Sequence, residues 1–169
     1  MHAQTTTGPS EIMTFEGMLE MVRYEGAYPT RARAEESVAG VLAALGGQLA
    51  GGERASLAAR LPGEAARLLS DAAPAEPLSG QEFVKELAAR TGGTTATTRW
   101  DSSTVLTLVG RLAGSDVLSR VLTQLPPGYA LLFGRAELTQ VARQERVSAA
   151  PPASLVVPRT PKGLATAGC

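Results

Sequence analysis

Two pairs of glutamates have a spacing that would suit carboxylate chemistry. Glu16 and Glu20 are separated by one helical turn, as are Glu82 and Glu86, so each pair falls on one face of a helix. Helical bundles that bind two metal ions combine such glutamates with Glu-x-x-His elements on neighbouring helices. The single histidine, His2, lies at the N-terminus and cannot complete such a site. We therefore interpret both pairs as solvated faces of amphipathic helices.

Hydroxyl groups are concentrated after Trp100. Ser102, Ser103 and Thr104 follow Asp101, but a catalytic hydroxyl needs a general base within hydrogen-bonding reach. Because no histidine is placed to act as that base, Asp101 or Ser102 is predicted instead to be the N-cap of a helix. The threonine-rich run at 94–98 is predicted to be a loop.

The residues typical of metal, disulfide and phosphate-loop sites are missing. His2 and Cys169 lie at opposite ends of the chain, which excludes an internal disulfide and argues against a His/Cys metal site. The glycine pairs at 46–47, 51–52 and 92–93 lack the Gly-Lys-Ser/Thr of a phosphate loop and are predicted to be caps and hinges. We expect no catalytic residue, no cofactor and no metal ligand, and we expect the protein not to be an enzyme. We also expect every acidic side chain to keep substantial access to solvent.

Two parts of the chain are candidates for partner binding. Trp100 is predicted either to plug the end of the core or, since tryptophan is frequent at binding hot spots, to anchor a partner. The C-terminal tail carries an apolar cluster beside Pro-x-x-Pro and two cations, which suits a docking peptide in polyproline or strand form. Tails rich in proline and alanine often have no function, and that alternative stays open. The candidate residues in the tail are Leu155, Val156, Val157, Arg159 and Lys162.

Composition and charge exclude several classes of protein. Basic and acidic residues are equal in number, 16 of each, which argues against a phosphate-binding face for nucleic acid. Hydrophobic residues make up 44% of the chain and aromatic residues only 4%, so the core must be aliphatic, with Tyr24, Tyr28 and Tyr129 at its boundary. No apolar run would span a bilayer, and residues 1–12 lack the layout of a signal peptide. We therefore expect a cytoplasmic protein.

Apolar residues at helical spacing predict a series of amphipathic helices. The first begins at Thr14, and a longer one follows over about 32–49. Ser79 and Glu82 have the spacing of a capping box at the start of another helix. The predicted organisation is a disordered leader over 1–13, a helical unit over 14–70, a linker over 71–79, a second helical unit over 80–134, a terminal helix over 135–146 and a disordered Pro/Ala-rich tail over 147–169.

The second helical unit repeats the apolar pattern of the first. The matched positions fall into blocks of constant offset, separated by changes in loop length. The fold class predicted from this pattern is all-α: a tandem duplication of a four-helix unit, with eight core helices, plus a C-terminal helix and disordered tails. The matched pairs are Phe15/Phe83, Leu19/Leu87, Val38/Val105, Val41/Leu108, Leu42/Val109, Leu45/Leu112, Leu57/Val121, Leu61/Leu125, Pro62/Pro126, Leu68/Leu132 and Leu69/Phe133.

The repeated Leu-Pro element supports a family resemblance. It occurs at 61–62 and 125–126, with a preceding Val-Leu-x-x-Leu helix and with a pair that closes each unit, Leu68-Leu69 or Leu132-Phe133. In these features the chain resembles the bacterial DUF2267 family over about 14–135. The resemblance implies an all-helical fold, and because the function of that family is unknown it implies no catalytic residues.

The function expected from the sequence is a non-enzymatic cytoplasmic interaction or scaffold module. Its partner is expected to be a protein bound in a groove between the two units, with no nucleic acid and no membrane span, and a homo-oligomer stays open. The alternative is a small-molecule or lipid binder with an aliphatic cavity between helices. A deep apolar pocket would favour the binder, whereas an exposed apolar patch rimmed by charge would favour the interaction module.

Overall fold

The computed structural model describes residues 13–135, which fold into seven α-helices without a β-strand in that range. The predicted all-helical class is confirmed. Apart from residue 135, the expected terminal helix over 135–146 lies outside the described part of the chain, as do the tail over 147–169 and residues 1–12. The helices are α1 Phe15–Glu25, α2 Arg31–Gln48, α3 Gly51–Ala58, α4 Gly63–Ser70, α5 Gly80–Thr91, α6 Thr95–Gln124 and α7 Tyr129–Leu132.

Side-chain caps set the starting points of four helices. Thr14, Thr30 and Thr94 accept a hydrogen bond from a backbone N–H in the first turn of α1, α2 and α6, respectively. Such a bond satisfies a donor that has no partner within the helix. The predicted capping box of Ser79 and Glu82 is present at the start of α5.

The long helices α2 and α6 lie at the centre of the fold. Helix α2 packs against α1, α4, α5 and α6, and α6 packs against α1, α2, α3, α5 and α7. Their apolar stripes meet in one core, in which Leu42, Leu45, Val105 and Val109 are fully buried. Since both halves of the sequence contribute to this core, it belongs to the whole of the described chain.

Helix α6 accounts for the difference between the eight core helices expected and the seven observed. Gly114 is the one residue inside it with non-helical backbone angles, with φ at 78°. That positive φ is easily adopted by glycine but costs energy for residues with a Cβ. The two helices predicted on either side of this point are therefore joined end to end across a kink of a single residue.

The glycine pair at 46–47 is not a hinge, in contrast to its predicted role. Both residues are helical and buried within α2. A Cβ added to Gly46 would lie within 2.1 Å of the Leu69 carbonyl oxygen, and one added to Gly47 would lie 3.0 Å from the Ala73 carbonyl oxygen. The pair therefore lets the chain after α4 run directly against the surface of α2.

The segment between α4 and α5 is held in place along the end of α2. The Ala75 N–H donates to the Gly47 carbonyl oxygen at 2.9 Å. The Gln48 amide accepts from the Leu78 N–H at 2.8 Å and donates to the Glu76 carbonyl oxygen at 3.0 Å. Although the segment contains no helix, its backbone is thus fixed by α2.

The tyrosines differ from their expected boundary positions. Tyr28 and Tyr129 are buried, whereas Tyr24 is 86% exposed. The ring of Tyr129 packs edge-on against Phe83, with 5.4 Å between the ring centroids. Met13, which was assigned to the leader, packs partly buried against the core.

Candidate functional site

The most unusual polar residue of the described chain is Asp101, a carboxylate buried in the second turn of α6. Its Oδ1 accepts a hydrogen bond from the Tyr28 hydroxyl at 2.6 Å, and its Oδ2 accepts one from Arg33 Nη2 at 2.7 Å. Two expectations are therefore wrong. Asp101 is not a helix N-cap, because α6 already begins at Thr95, and not every acidic side chain keeps substantial access to solvent.

Arg33 connects Asp101 with the surface of α2. Its Nη1 donates to Ser37 Oγ at 3.0 Å, and its guanidinium carbon lies 5.7 Å from the centroid of the Tyr28 ring. About 40% of its side chain stays exposed. We call Tyr28, Arg33, Ser37 and Asp101 the Asp101 cluster. Its buried charge is compensated by an ion pair and a neutral donor, as buried carboxylates require.

Tyr28 is the neutral donor of the Asp101 cluster. Burial raises the pKa of its hydroxyl above the usual range, and the hydrogen bond to Asp101 raises it further. Both effects disfavour a second negative charge next to the carboxylate. Tyr28 therefore keeps its proton and donates a hydrogen bond to Asp101 throughout the neutral pH range.

A cleft of about 480 Å³ opens beside the Asp101 cluster. We call it the central cleft, since it lies between α2, the C-terminal end of α5 and the N-terminal end of α6. Charged, hydroxyl and apolar groups all contribute to its walls. The lining residues are Arg33, Glu36, Ser37, Gly40, Val41, Leu87, Thr91, Gly92, Gly93, Thr97, Thr98 and Asp101.

Trp100 does not line the central cleft. It lies in the second turn of α6 and is 56% exposed, so it is not at the helix entrance. Its Nε1 donates to the Gly26 carbonyl oxygen at 3.1 Å and so ties α6 to the loop after α1. The other candidate residues for partner binding, from Leu155 to Lys162, lie outside the described residues.

A signal for Asp101 is present in the sequence but was assigned to the wrong element. The threonine run at 94–98 is not a loop: Thr94 is the N-cap of α6, and Thr95–Thr98 form its first turn. With the helix extended back to this point, Asp101 precedes Val105 and Leu108 at the i, i+4, i+7 spacing of a buried face. The N-cap is thus the feature that would have placed Asp101 on the apolar stripe.

Residues 13–135 contain no group of three or more His, Cys, Asp or Glu side chains arranged to hold a metal ion. Within this range, none of the helices combines the length and the apolar character needed to cross a bilayer.

Comparisons with known proteins bear on the family and not on the activity. No curated protein matches the chain significantly. The model of a family described as "Uncharacterized conserved protein (DUF2267)" matches residues 15–132, which include every helix of the described fold. On the strength of this match over most of its length, the chain belongs to the DUF2267 family.

Proposed function

We propose that this protein is a non-enzymatic cytoplasmic interaction module that binds a segment of a partner protein in the central cleft. The observation that carries the proposal is the position of the cleft. It lies between α2 of the first unit and α5 and α6 of the second, with the Asp101 cluster at its edge. This position is consistent with a partner groove between the two sequence units, which remains a proposal.

The walls of the central cleft suit recognition of a polypeptide. Val41 and Leu87 offer apolar contacts, while Thr91 and Thr97 offer hydroxyl groups. Gly40 contributes no side chain, which leaves room above the α2 backbone. Such a mixture resembles the composition of transient protein interfaces, where apolar anchors are combined with a few polar contacts.

The arrangement of Asp101 favours binding over catalysis. Each carboxylate oxygen already accepts a strong hydrogen bond, one from Tyr28 and one from Arg33. A general base must also reach the proton that it removes, and Asp101 is only 7% exposed. The geometry instead fixes the carboxylate and the guanidinium in place, so that they present a preformed polar surface to a partner.

A small molecule is the alternative occupant. The volume of about 480 Å³ falls within the range of about 300–1,000 Å³ typical of small-molecule pockets. The cleft lining is not the purely aliphatic cavity that the sequence suggested for this alternative, because Arg33, Glu36 and Asp101 are part of it. A ligand here would need polar groups.

Obstruction of the central cleft tests the proposal. A Cβ on Gly40 would meet Leu87 Cδ1 at 3.8 Å and Thr91 Cγ2 at 3.9 Å, both ordinary contact distances. Gly40→Leu should therefore extend a side chain into the cleft, and circular dichroism would establish that the variant is folded. Ala32→Leu is the matched control, because Ala32 is exposed on the same helix. Proteins captured from host extract by the full chain would be purified, and their affinity for each variant measured by calorimetry.

The proposal requires a captured protein with equal affinity for the wild-type chain and for Ala32→Leu. Its affinity for Gly40→Leu should be at least about tenfold lower. Equal binding to all three chains would contradict it. Native mass spectrometry of the purified protein tests the alternative, since a bound small molecule should be seen with the wild type and lost in Gly40→Leu.

We also propose that the fold arose by duplication of a four-helix unit. In this scheme α1 corresponds to α5, the two segments of α6 correspond to α2 and α3, and α4 corresponds to α7. The matched leucines Leu61 and Leu125 support it, since both are buried and each directly precedes a proline. Superposition of residues 15–70 on 83–133 is the direct test.

A further inference from the structure

A second depression, separate from the central cleft, lies on a different face of α2. It has a volume of about 460 Å³ and is formed by α1, α2, α4 and the residues just after α4. Its floor is apolar and includes Phe15, Ala39 and Leu68. We call it the acidic groove, because three carboxylates and one guanidinium also line it: Glu35, Glu64, Asp71 and Arg67.

The apolar floor of the acidic groove is less buried than its sequence register predicts. Phe15 and Leu68 are only half-buried, although Leu68 was expected to point inward together with Leu69. Their matched residues in the second unit, Phe83 and Leu132, are 2% and 4% exposed. In the second unit these positions are thus buried by the chain itself, whereas in the first unit they line a groove.

The charge of the acidic groove is unbalanced. Among the described residues, none of the carboxylates of Glu35, Glu64 and Asp71 takes part in an ion pair, and all three residues are exposed. Three carboxylates face one guanidinium, so the rim carries an excess of negative charge. Complementary charge across an interface steers association and selects the partner.

From these observations we propose that the acidic groove docks a protein segment with apolar residues in its middle and lysines or arginines at its flanks. The apolar residues cover Phe15 and Leu68, and the cations lie over the rim carboxylates. An apolar patch rimmed by charge is the arrangement expected of a protein-interaction surface. This proposal is independent of the central cleft, because the two sites share none of their lining residues.

Selection of peptides from a random twelve-residue library on the full-length protein tests this inference. Enriched peptides should combine apolar residues with flanking lysine or arginine, and their affinity should fall as salt is added, since exposed charges are screened. Glu64→Lys should lower the affinity of these peptides by about tenfold or more, because it places a cation on the rim. The matched control is Glu76→Lys, at an exposed position that does not line the groove.

Leu68→Gln provides a second variant that removes apolar contact without reversing charge, and circular dichroism would establish that each variant is folded. Failure to enrich any peptide, or enrichment of peptides without a basic bias, would overturn the inference. The same holds if binding survives both Glu64→Lys and Leu68→Gln. Loss of peptide binding in Gly40→Leu alone would assign the peptides to the central cleft, and would thus reject the groove while supporting the function proposed above.

Discussion

At the scale of single residues, the Asp101 cluster shows how a charge can be buried in an aliphatic core. A carboxylate removed from water is costly unless its oxygens are hydrogen-bonded and its charge is paired. Asp101 meets both conditions with partners from a different part of the chain, Tyr28 and Arg33. The cluster therefore links the start of α2 and the loop before it to α6.

Removal of the Tyr28 hydroxyl should destabilise the protein. Tyr28→Phe deletes the bond to Asp101 Oδ1, and hydrogen bonds to charged groups contribute about 1.5–3 kcal/mol. Tyr24→Phe is the control, because its side chain is exposed and surface changes are usually within about 0.5 kcal/mol. Urea unfolding of the two variants measures the difference, and equal stabilities would show that the Tyr28 bond contributes nothing.

Alkaline pH should destabilise the wild type more steeply than it destabilises Tyr28→Phe. The pKa of Tyr28 is raised in the folded protein by burial and by Asp101, whereas in the unfolded chain it is about 10. Above that value the unfolded state loses a proton that the folded state retains, so stability falls as the pH rises. Urea unfolding between neutral and alkaline pH measures the free energy of unfolding of both proteins. A parallel decrease of this free energy with pH in the wild type and in Tyr28→Phe would contradict the prediction.

At the scale of elements, the sequence predicts the helices well where local signals decide them. The capping box of Ser79 and the apolar stripe of α1 are contained in adjacent residues, and both are found as predicted. The roles of Gly46 and Asp101 depend on partners far away in sequence, Leu69 and Tyr28. Spacing within α2 contains no information on the contact of Gly46, so the prediction of a hinge was wrong. Asp101 was assigned to an N-cap because α6 begins earlier, at Thr95, than predicted.

Gly46→Ala should therefore be destabilising, although alanine normally favours a helix over glycine. The added methyl group would overlap the Leu69 carbonyl oxygen, and overpacking of this kind costs about 1–3 kcal/mol. Gly52→Ala is the matched control in α3, where a Cβ meets nothing within 4 Å. The unfolding temperature of Gly46→Ala should lie below that of the wild type, and that of Gly52→Ala should equal or exceed it. The reverse order would contradict the close approach of Gly46 to the Leu69 carbonyl oxygen.

At the scale of the whole molecule, the two sequence units share one core instead of forming two. Leu125 is 7% exposed and belongs to the same cluster as residues of α1 and α2. The fold class could be predicted because apolar periodicity is a property of the entire chain. The acidic groove could not be predicted from the sequence, because its floor and rim come from three helices whose relative placement is decided by packing.

Truncation of Leu125 should lower the stability of the whole described fold. Leu125→Ala removes a buried side chain and should cost about 2–5 kcal/mol, whereas Leu131→Ala, at a residue that is 54% exposed, should cost far less. Unfolding followed at two wavelengths, one sensitive to Trp100 and one to helix content, should show one coincident transition. Separate transitions would mean that the units unfold independently.

The shared core has a consequence for how such a protein can evolve. In solenoid proteins each repeat contacts only its neighbours, so repeats are gained and lost one at a time. Here α2 contacts α5 and α6 directly, and an isolated copy of either unit would expose the surface that its counterpart covers. We therefore expect the product of a gene encoding half of this chain to fold only when it pairs with a second half.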